Sequence, residues 1–143
     1  MIDERTFFSE REFKYTPDQI FAAIADPERL ARWWGPEGFT NTFDEFDFRP
    51  GGAWKFTMHG PDGADYWNES FFESIETDRS VVIRHDCAPY FTLTIAIEPR
   101  SDGSNLTWTQ RFDDAEVAQR VAAIVGSANE ENLERLTRVL GSD

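Results

Sequence analysis

The sequence of 143 residues contains one cysteine, Cys87, so no internal disulfide can form and a reducing compartment suits it. It contains two histidines, His59 and His85, and a zinc centre would need both together with a carboxylate. No uninterrupted apolar stretch is long enough to span a bilayer. The opening Met1-Ile2-Asp3-Glu4-Arg5 lacks the basic region and apolar run of a secretory signal, and a cytoplasmic location is expected. Basic side chains are few: 14 Lys and Arg stand against 27 Asp and Glu, for a formal charge of −13 and a pI near 4.5. That balance argues against nucleic acid or an anionic membrane as partner, because either would repel the chain. There is no Gly-rich phosphate loop, no Gly-x-Ser-x-Gly, no Cys-x-x-Cys and no His-Glu-x-x-His. No cofactor and no metal are expected.

What the chain has in quantity is aromatic side chains, 15% of its residues, too many for a disordered acidic segment. All of them lie at or before Phe112. The length suits one domain over residues 1–143, and no repeat or linker divides it.

Residues 6–14 read as a first strand. Thr16-Pro17-Asp18-Gln19 opens a helix, with Thr16 as cap, Pro17 at the first helical position and Gln19 completing a capping box. Asp26-Pro27-Glu28 opens a second, carrying Leu30, Trp33 and Trp34 until Gly35-Pro36 stops it. From Phe39 to Phe112 short aromatic and β-branched runs alternate with Pro-Gly-Gly, Gly-Pro-Asp-Gly and Ser-Asp-Gly turns. Asp113 then caps a helix reaching about Leu140, with Val117, Val121, Val125, Ala128, Leu136 and Val139 on its apolar side. This is an α+β layout, and the last helix is the one element long enough to cover the apolar face of a meander sheet.

Turn lengths indicate which residues face that cover. A four-residue loop at Gly60–Gly63 pairs His59 with Ala64 and places Trp54, Phe56, Met58, Trp67, Glu69 and Phe71 on one face. The Ser101-Asp102-Gly103 turn sets Ile95 opposite Trp108, Leu93 opposite Gln110 and Phe91 opposite Phe112, while Val81, Ile83 and His85 form the apolar side of the strand between. The Pro50-Gly51-Gly52 turn can hold two or three residues, a choice that flips Phe46 and Phe48; three, with a bulge, is expected because it turns both rings inward. Three polar groups, Glu69, His85 and Gln110, then stand on an otherwise apolar face. With Phe71 opposite His85, Glu69 becomes a diagonal neighbour of His85. The two are either an acid–base pair in a pocket or ordinary structural hydrogen-bonding groups. Cys87 reads as a buried inert thiol, or as a nucleophile if it shares a pocket with His85.

Trp33 and Trp34 point about 100° apart on a helix, so one can seal the core while the other lines an opening. The last helix carries Gly126-Ser127-Ala128 near its middle, and small residues facing large rings mean either close helix–sheet contact or a void. A dry void of about 300 Å³ would cost on the order of 7 kcal/mol, so such a space should hold water or a ligand.

Three stretches, Asp26-Pro27-Glu28-Arg29-Leu30-Ala31-Arg32-Trp33-Trp34-Gly35-Pro36, Arg49-Pro50-Gly51-Gly52-Ala53-Trp54 and His59-Gly60-Pro61-Asp62-Gly63, together with Leu106-Thr107-Trp108-Thr109-Gln110-Arg111-Phe112 and Glu131-Asn132-Leu133-Glu134-Arg135-Leu136, resemble the bacterial single-domain relatives of the activator of heat-shock protein 90 ATPase. The resemblance covers nearly the whole chain. It implies the helix-grip fold of the START/SRPBCC superfamily, in which a curved antiparallel sheet grips a long C-terminal helix around a hydrophobic cavity. The superfamily includes lipid and sterol carriers, aromatic polyketide cyclases and the co-chaperone that names the family. The resemblance carries over no catalytic residue.

Three functions follow as expectations. The first is binding of a small lipid-like or aromatic molecule by Trp33, Trp34, Trp54, Phe56, Met58, Trp67, Glu69, Phe71, Ile83, His85, Phe91, Leu93, Trp108, Gln110, Val125 and Ala128. The second is a cyclase- or dehydratase-type enzyme using Glu69 and His85. The third is a protein-interaction role, a chaperone among the partners, with the chain a monomer or weak dimer.

Overall fold

The computed structural model describes residues 3–142. The elements run β1 (Thr6–Phe13), α1 (Pro17–Ala25), α2 (Pro27–Trp33), β2 (Thr40–Phe46), β3 (Ala53–His59), β4 (Asp65–Glu76), β5 (Ser80–His85), β6 (Phe91–Arg100), β7 (Gly103–Phe112) and α3 (Ala115–Ser142). The strands form one antiparallel sheet in the order β1-β7-β6-β5-β4-β3-β2, a meander from β2 to β7 with β1 added outside β7. Bulges at Asp44 in β2 and Glu73 in β4 break the ladder, and such insertions bend a strand and raise its twist. The curved sheet faces α3, with α1 and α2 closing one end. Among the described residues, no helix is long and apolar enough to cross a membrane.

The helix openings follow local chemistry. The Gln19 side chain accepts the Thr16 N–H at 2.9 Å, and the Asp26 carboxylate accepts the Glu28 N–H at 3.1 Å. The third helix begins one residue later than expected. Asp114 caps it by accepting the Glu116 N–H at 2.8 Å, while Asp113 forms a two-bond ion pair with Arg84 at 2.8 and 2.7 Å. That pair holds the Asp113 carboxyl below its usual pKa and raises that of Arg84.

The β6–β7 register is the expected one: Ile95 meets Trp108, Leu93 meets Gln110 and Phe91 meets Phe112. Phe46 and Phe48 do turn inward onto Phe72, but the bulge responsible is at Asp44, and the turn is longer, closing the Asp47 N–H on the Ala53 carbonyl. The β3–β4 hairpin corrects the reading by one residue. Gly63 donates to the Gly60 carbonyl at 3.0 Å and adopts φ +88°, leaving a three-residue loop, Pro61-Asp62-Gly63, with its glycine left-handed. His59 therefore meets Asp65, Phe56 meets Asn68 and Trp54 meets Ser70. Side chains alternate along a strand, so this shift turns Asn68, Ser70 and Phe72 inward and Trp67, Glu69 and Phe71 outward.

The two halves of α3 differ. Its later part buries Asn129, Asn132, Leu133, Leu136, Val139 and Leu140; its earlier part buries Ala118 alone. Val117, Val121 and Val125, expected against the sheet, are only half-buried. Gly126 and Ser127 face outward, and a Cβ at Gly126 would meet nothing within 4 Å.

The later half is fastened by polar bonds to the end of α2. Arg135 donates from Nη1 to the carbonyls of Trp34, Gly35 and Pro36 at 3.0, 2.9 and 2.9 Å, and from Nη2 to those of Arg32 and Phe39 at 2.8 and 2.9 Å. Asn132 donates to the Trp33 carbonyl at 2.8 Å and accepts the Gly35 N–H at 3.3 Å. Asn41, from β2, donates to the carbonyls of Ala31 and Trp34 at 3.0 and 2.9 Å. The final carbonyls of a helix lack intrahelical partners and carry partial negative charge, so a cation and amide donors suit that place.

Removing this hub should be costly. Arg135→Met leaves buried carbonyls without donors and should lower the unfolding free energy by about 3 kcal/mol, whereas Arg135→Lys, keeping the charge but not the fork, should cost about half that. Urea unfolding measures both; an Arg135→Met protein within about 0.5 kcal/mol of the parent would refute the account.

Candidate functional site

Between the sheet and the earlier half of α3 lies a cavity of about 740 Å³. It is open at a rim formed by Trp67 and Ile124, so water or a ligand can enter it. It is therefore a filled or solvated space.

Its walls come from four places. The α2–β2 connection gives Trp34, Gly35, Pro36 and Phe39. Gly35 has φ +94°, a left-handed conformation that a side chain would strain, which suits glycine where the chain turns along the rim. The sheet supplies Phe56 and Met58 from β3, Asn68 and Ser70 from β4, Ile83 and His85 from β5, Phe91 and Leu93 from β6, and Trp108 and Gln110 from β7. The β5–β6 connection adds Ala88 and Pro89, and α3 adds Ile124, Ala128, Asn129 and Asn132. Asp65, Tyr66 and Trp67 complete the lining from the start of β4.

The tryptophan pair divides as its angular separation requires. Trp33 is fully buried, its indole N–H on the Ala23 carbonyl at 3.0 Å, while Trp34 reaches the cavity with its ring 4.9 Å from Trp54 and 5.7 Å from Trp108. Trp54 sits behind the wall among Phe43, Phe46, Phe56 and Phe72, so neither it nor Trp33 touches the cavity. Val125 is also absent from the lining. Trp67 is at the rim, half-exposed. Phe71 and Glu69 are on the outer face, and the Glu69 carboxylate accepts the Trp67 indole N–H at 3.1 Å. The expected pairing of Glu69 with His85 is thus wrong, and the acid–base dyad has no geometry.

His85 is a buried ring with a full set of contacts. It stacks on Phe91 at 4.4 Å, nearly parallel. Its Nδ1 lies 2.7 Å from the Pro89 carbonyl and its Nε2 lies 2.7 Å from the Asn68 amide oxygen, with Cys87 Sγ at 3.5 Å. Two oxygen acceptors suit the protonated ring; a neutral ring satisfies both contacts only with the Asn68 amide reversed. Burial is the larger influence and pushes the His85 pKa below its ordinary value, against the hydrogen bond to Pro89. Cys87 is half-buried, takes the Glu69 N–H at 3.4 Å and does not line the cavity. His59 bonds Thr42 and Asp65, and among the described residues no three His, Cys, Asp or Glu side chains are grouped to hold a metal.

At the opposite wall Asn129 Nδ2 donates to Gln110 Oε1 at 3.1 Å. Asn68, Ser70, Asn129 and Asn132 were missed from sequence. The first two follow from the hairpin register; the two asparagines are polar residues three apart on the buried seam of α3, a pattern that an apolar-only reading passes over.

Residues 14–141 match the family model described as Activator of Hsp90 ATPase homolog 1-like protein. The chain belongs to that family. Its fold is that of several bacterial proteins of known structure. One from Nitrosomonas europaea aligns with a TM-score of 0.91 at 18% identity, over 99% of this chain and 97% of that one. One from Arthrobacter aurescens gives 0.91 at 25%, over 100% and 91%. The AHSA1 protein of Silicibacter pomeroyi gives 0.79 at 24%, over 96% and 98%. No curated protein matches the sequence. The curved sheet around a C-terminal helix is accordingly the helix-grip arrangement of the SRPBCC fold.

The His85 environment has a measurable consequence. Its folded-state pKa lies below the unfolded value of about 6.5, so unfolded chains bind a proton first as pH falls. The resulting loss of stability begins near pH 7 and grows as pH drops through about 6.5 towards the folded pKa. Urea midpoints at about pH 7.5 and 5.5 should therefore differ more for the parent than for His85→Gln. Equal differences in the two proteins would show that the ring titrates freely in the folded state.

Proposed function

We propose that this protein binds a small, largely apolar molecule, lipid-like or aromatic, between the sheet and the earlier half of α3. The observation that carries this reading is the cavity itself: about 740 Å³ walled mainly by Trp34, Phe56, Met58, Ile83, Phe91, Leu93 and Trp108. Ligand sites in proteins are mostly apolar concavities with a few placed polar groups, and this one has that character. The family membership agrees with it. An enzyme of cyclase type is less well supported, because the carboxylate it would use, Glu69, lies on the outer face.

Neutral hydrophobic compounds, Nile red among them, should raise the melting temperature and change the fluorescence of Trp34 and Trp108. Ala128→Phe fills the cavity from α3 without altering the sheet, and should retain the fold by circular dichroism while binding at least about tenfold more weakly. A broad panel that shifts neither signal would overturn the reading.

A further inference from the structure

Resting on that reading and specifying its ligand, we infer that the cavity takes a molecule whose polar group is uncharged and both gives and receives a hydrogen bond, a hydroxyl or a primary amide, and that it discriminates against the carboxylate of the same skeleton. Three observations converge on this.

The first is that, among the described residues, neither Lys nor Arg contributes to the lining. Two arginines on the elements that wall it are committed elsewhere. Arg135 is spent on backbone carbonyls, and Arg84 pairs with Asp113. An anion entering this space would lose its water without gaining a counter-charge, one of the most expensive arrangements a protein interior offers.

The second is the state of the titratable groups that face the cavity. His85 has both ring nitrogens engaged by Pro89 and Asn68, so neither is free to meet an anion, and burial lowers its pKa. Asp65, at the rim, is itself an acid, bonded to His59 at 2.7 Å. The chain carries a formal charge of −13, which adds long-range repulsion.

The third is an amide pair left partly unengaged, in a wall where the buried Trp108 indole N–H also lacks a partner among the described residues. Gln110 Oε1 accepts from Asn129 Nδ2, which leaves the Gln110 amide hydrogens as donors and Asn129 Oδ1 as an acceptor, with no partner among the described residues. Asn129 is 8% exposed. A donor and an acceptor side by side match a hydroxyl or an amide, which does both. A carboxylate only accepts, so it would satisfy Gln110 and face Asn129 Oδ1 oxygen to oxygen. The requirement is therefore one of hydrogen-bond polarity as well as charge.

A chemically matched set decides the matter: a medium-chain primary alcohol, the corresponding primary amide and the corresponding fatty acid, with Nile red as a neutral reporter. At about pH 8 the acid is ionised, and the alcohol and amide should displace Nile red at least about tenfold more effectively than the acid. Gln110→Lys, checked for its melting transition, supplies the missing cation and should reverse the order. An acid that competes as well as the alcohol on the parent protein overturns the inference and leaves the apolar-cavity reading standing. If Nile red and all three chains fail to bind, the cavity reading itself falls, and this inference with it.

Discussion

The guanidinium of Arg135 is placed where α2 ends, and most of the site's geometry depends on it. A two-turn helix such as α2 exposes nearly as many unpaired carbonyls as it satisfies. Here Arg135, Asn132 and Asn41 between them take up the carbonyls of residues 31–36 and 39. Burial draws the Arg135 pKa below its ordinary value, and no carboxylate compensates it among the described residues. The oxygens of a helix end do so instead. With that connection fixed, Trp33 is locked into the core and Trp34 against the cavity, from a helix too short to hold them by its own stability.

The same fastening explains where the cavity lies. All the bonds from α3 to the α2–β2 connection come from its later half, at Glu131, Asn132, Arg135 and Arg138. Arg11 of β1 adds ion pairs to Glu130 and Glu134. The earlier half has half-buried valines and outward-facing Gly126 and Ser127, and no large side chain that would fill the space between it and the sheet. Ile124, 64% exposed, stands at the opening. A single continuous helix thus serves as core along one stretch and as the roof of a chamber along another.

Much of this was legible in the residues. The alternation in β5, β6 and β7 is strong and the Ser101-Asp102-Gly103 turn is short, so parity placed Ile83, His85, Leu93, Trp108 and Gln110 on the inner face. The β3–β4 hairpin failed because Pro61-Asp62-Gly63 is a turn whose last residue is left-handed, and counting Gly60 into the loop shifted the strand by one. The rings did not expose the mistake: Trp67 and Phe71 look at least as suited to a core as Asn68 and Ser70. Hydrophobicity could not break the tie, and only the stereochemistry of Gly63 could. On α3, apolar period alone picked out Val117, Val121 and Val125, whereas Asn129 and Asn132 are buried because the connections they bond to are also buried.

That near-tie on β4 has an evolutionary side. The strand carries two complete and chemically different sets of side chains, one amide- and hydroxyl-bearing, the other aromatic and acidic, and the length of one tight turn selects which set faces the chamber. An insertion or deletion of one residue between His59 and Asp65 shifts β4 against β3 and exchanges Asn68 and Ser70 for Trp67, Glu69 and Phe71 on the inner face. The lining of such a chamber can therefore change in two distinct ways: gradually, by substitution at inward positions, and abruptly, by a change of turn length.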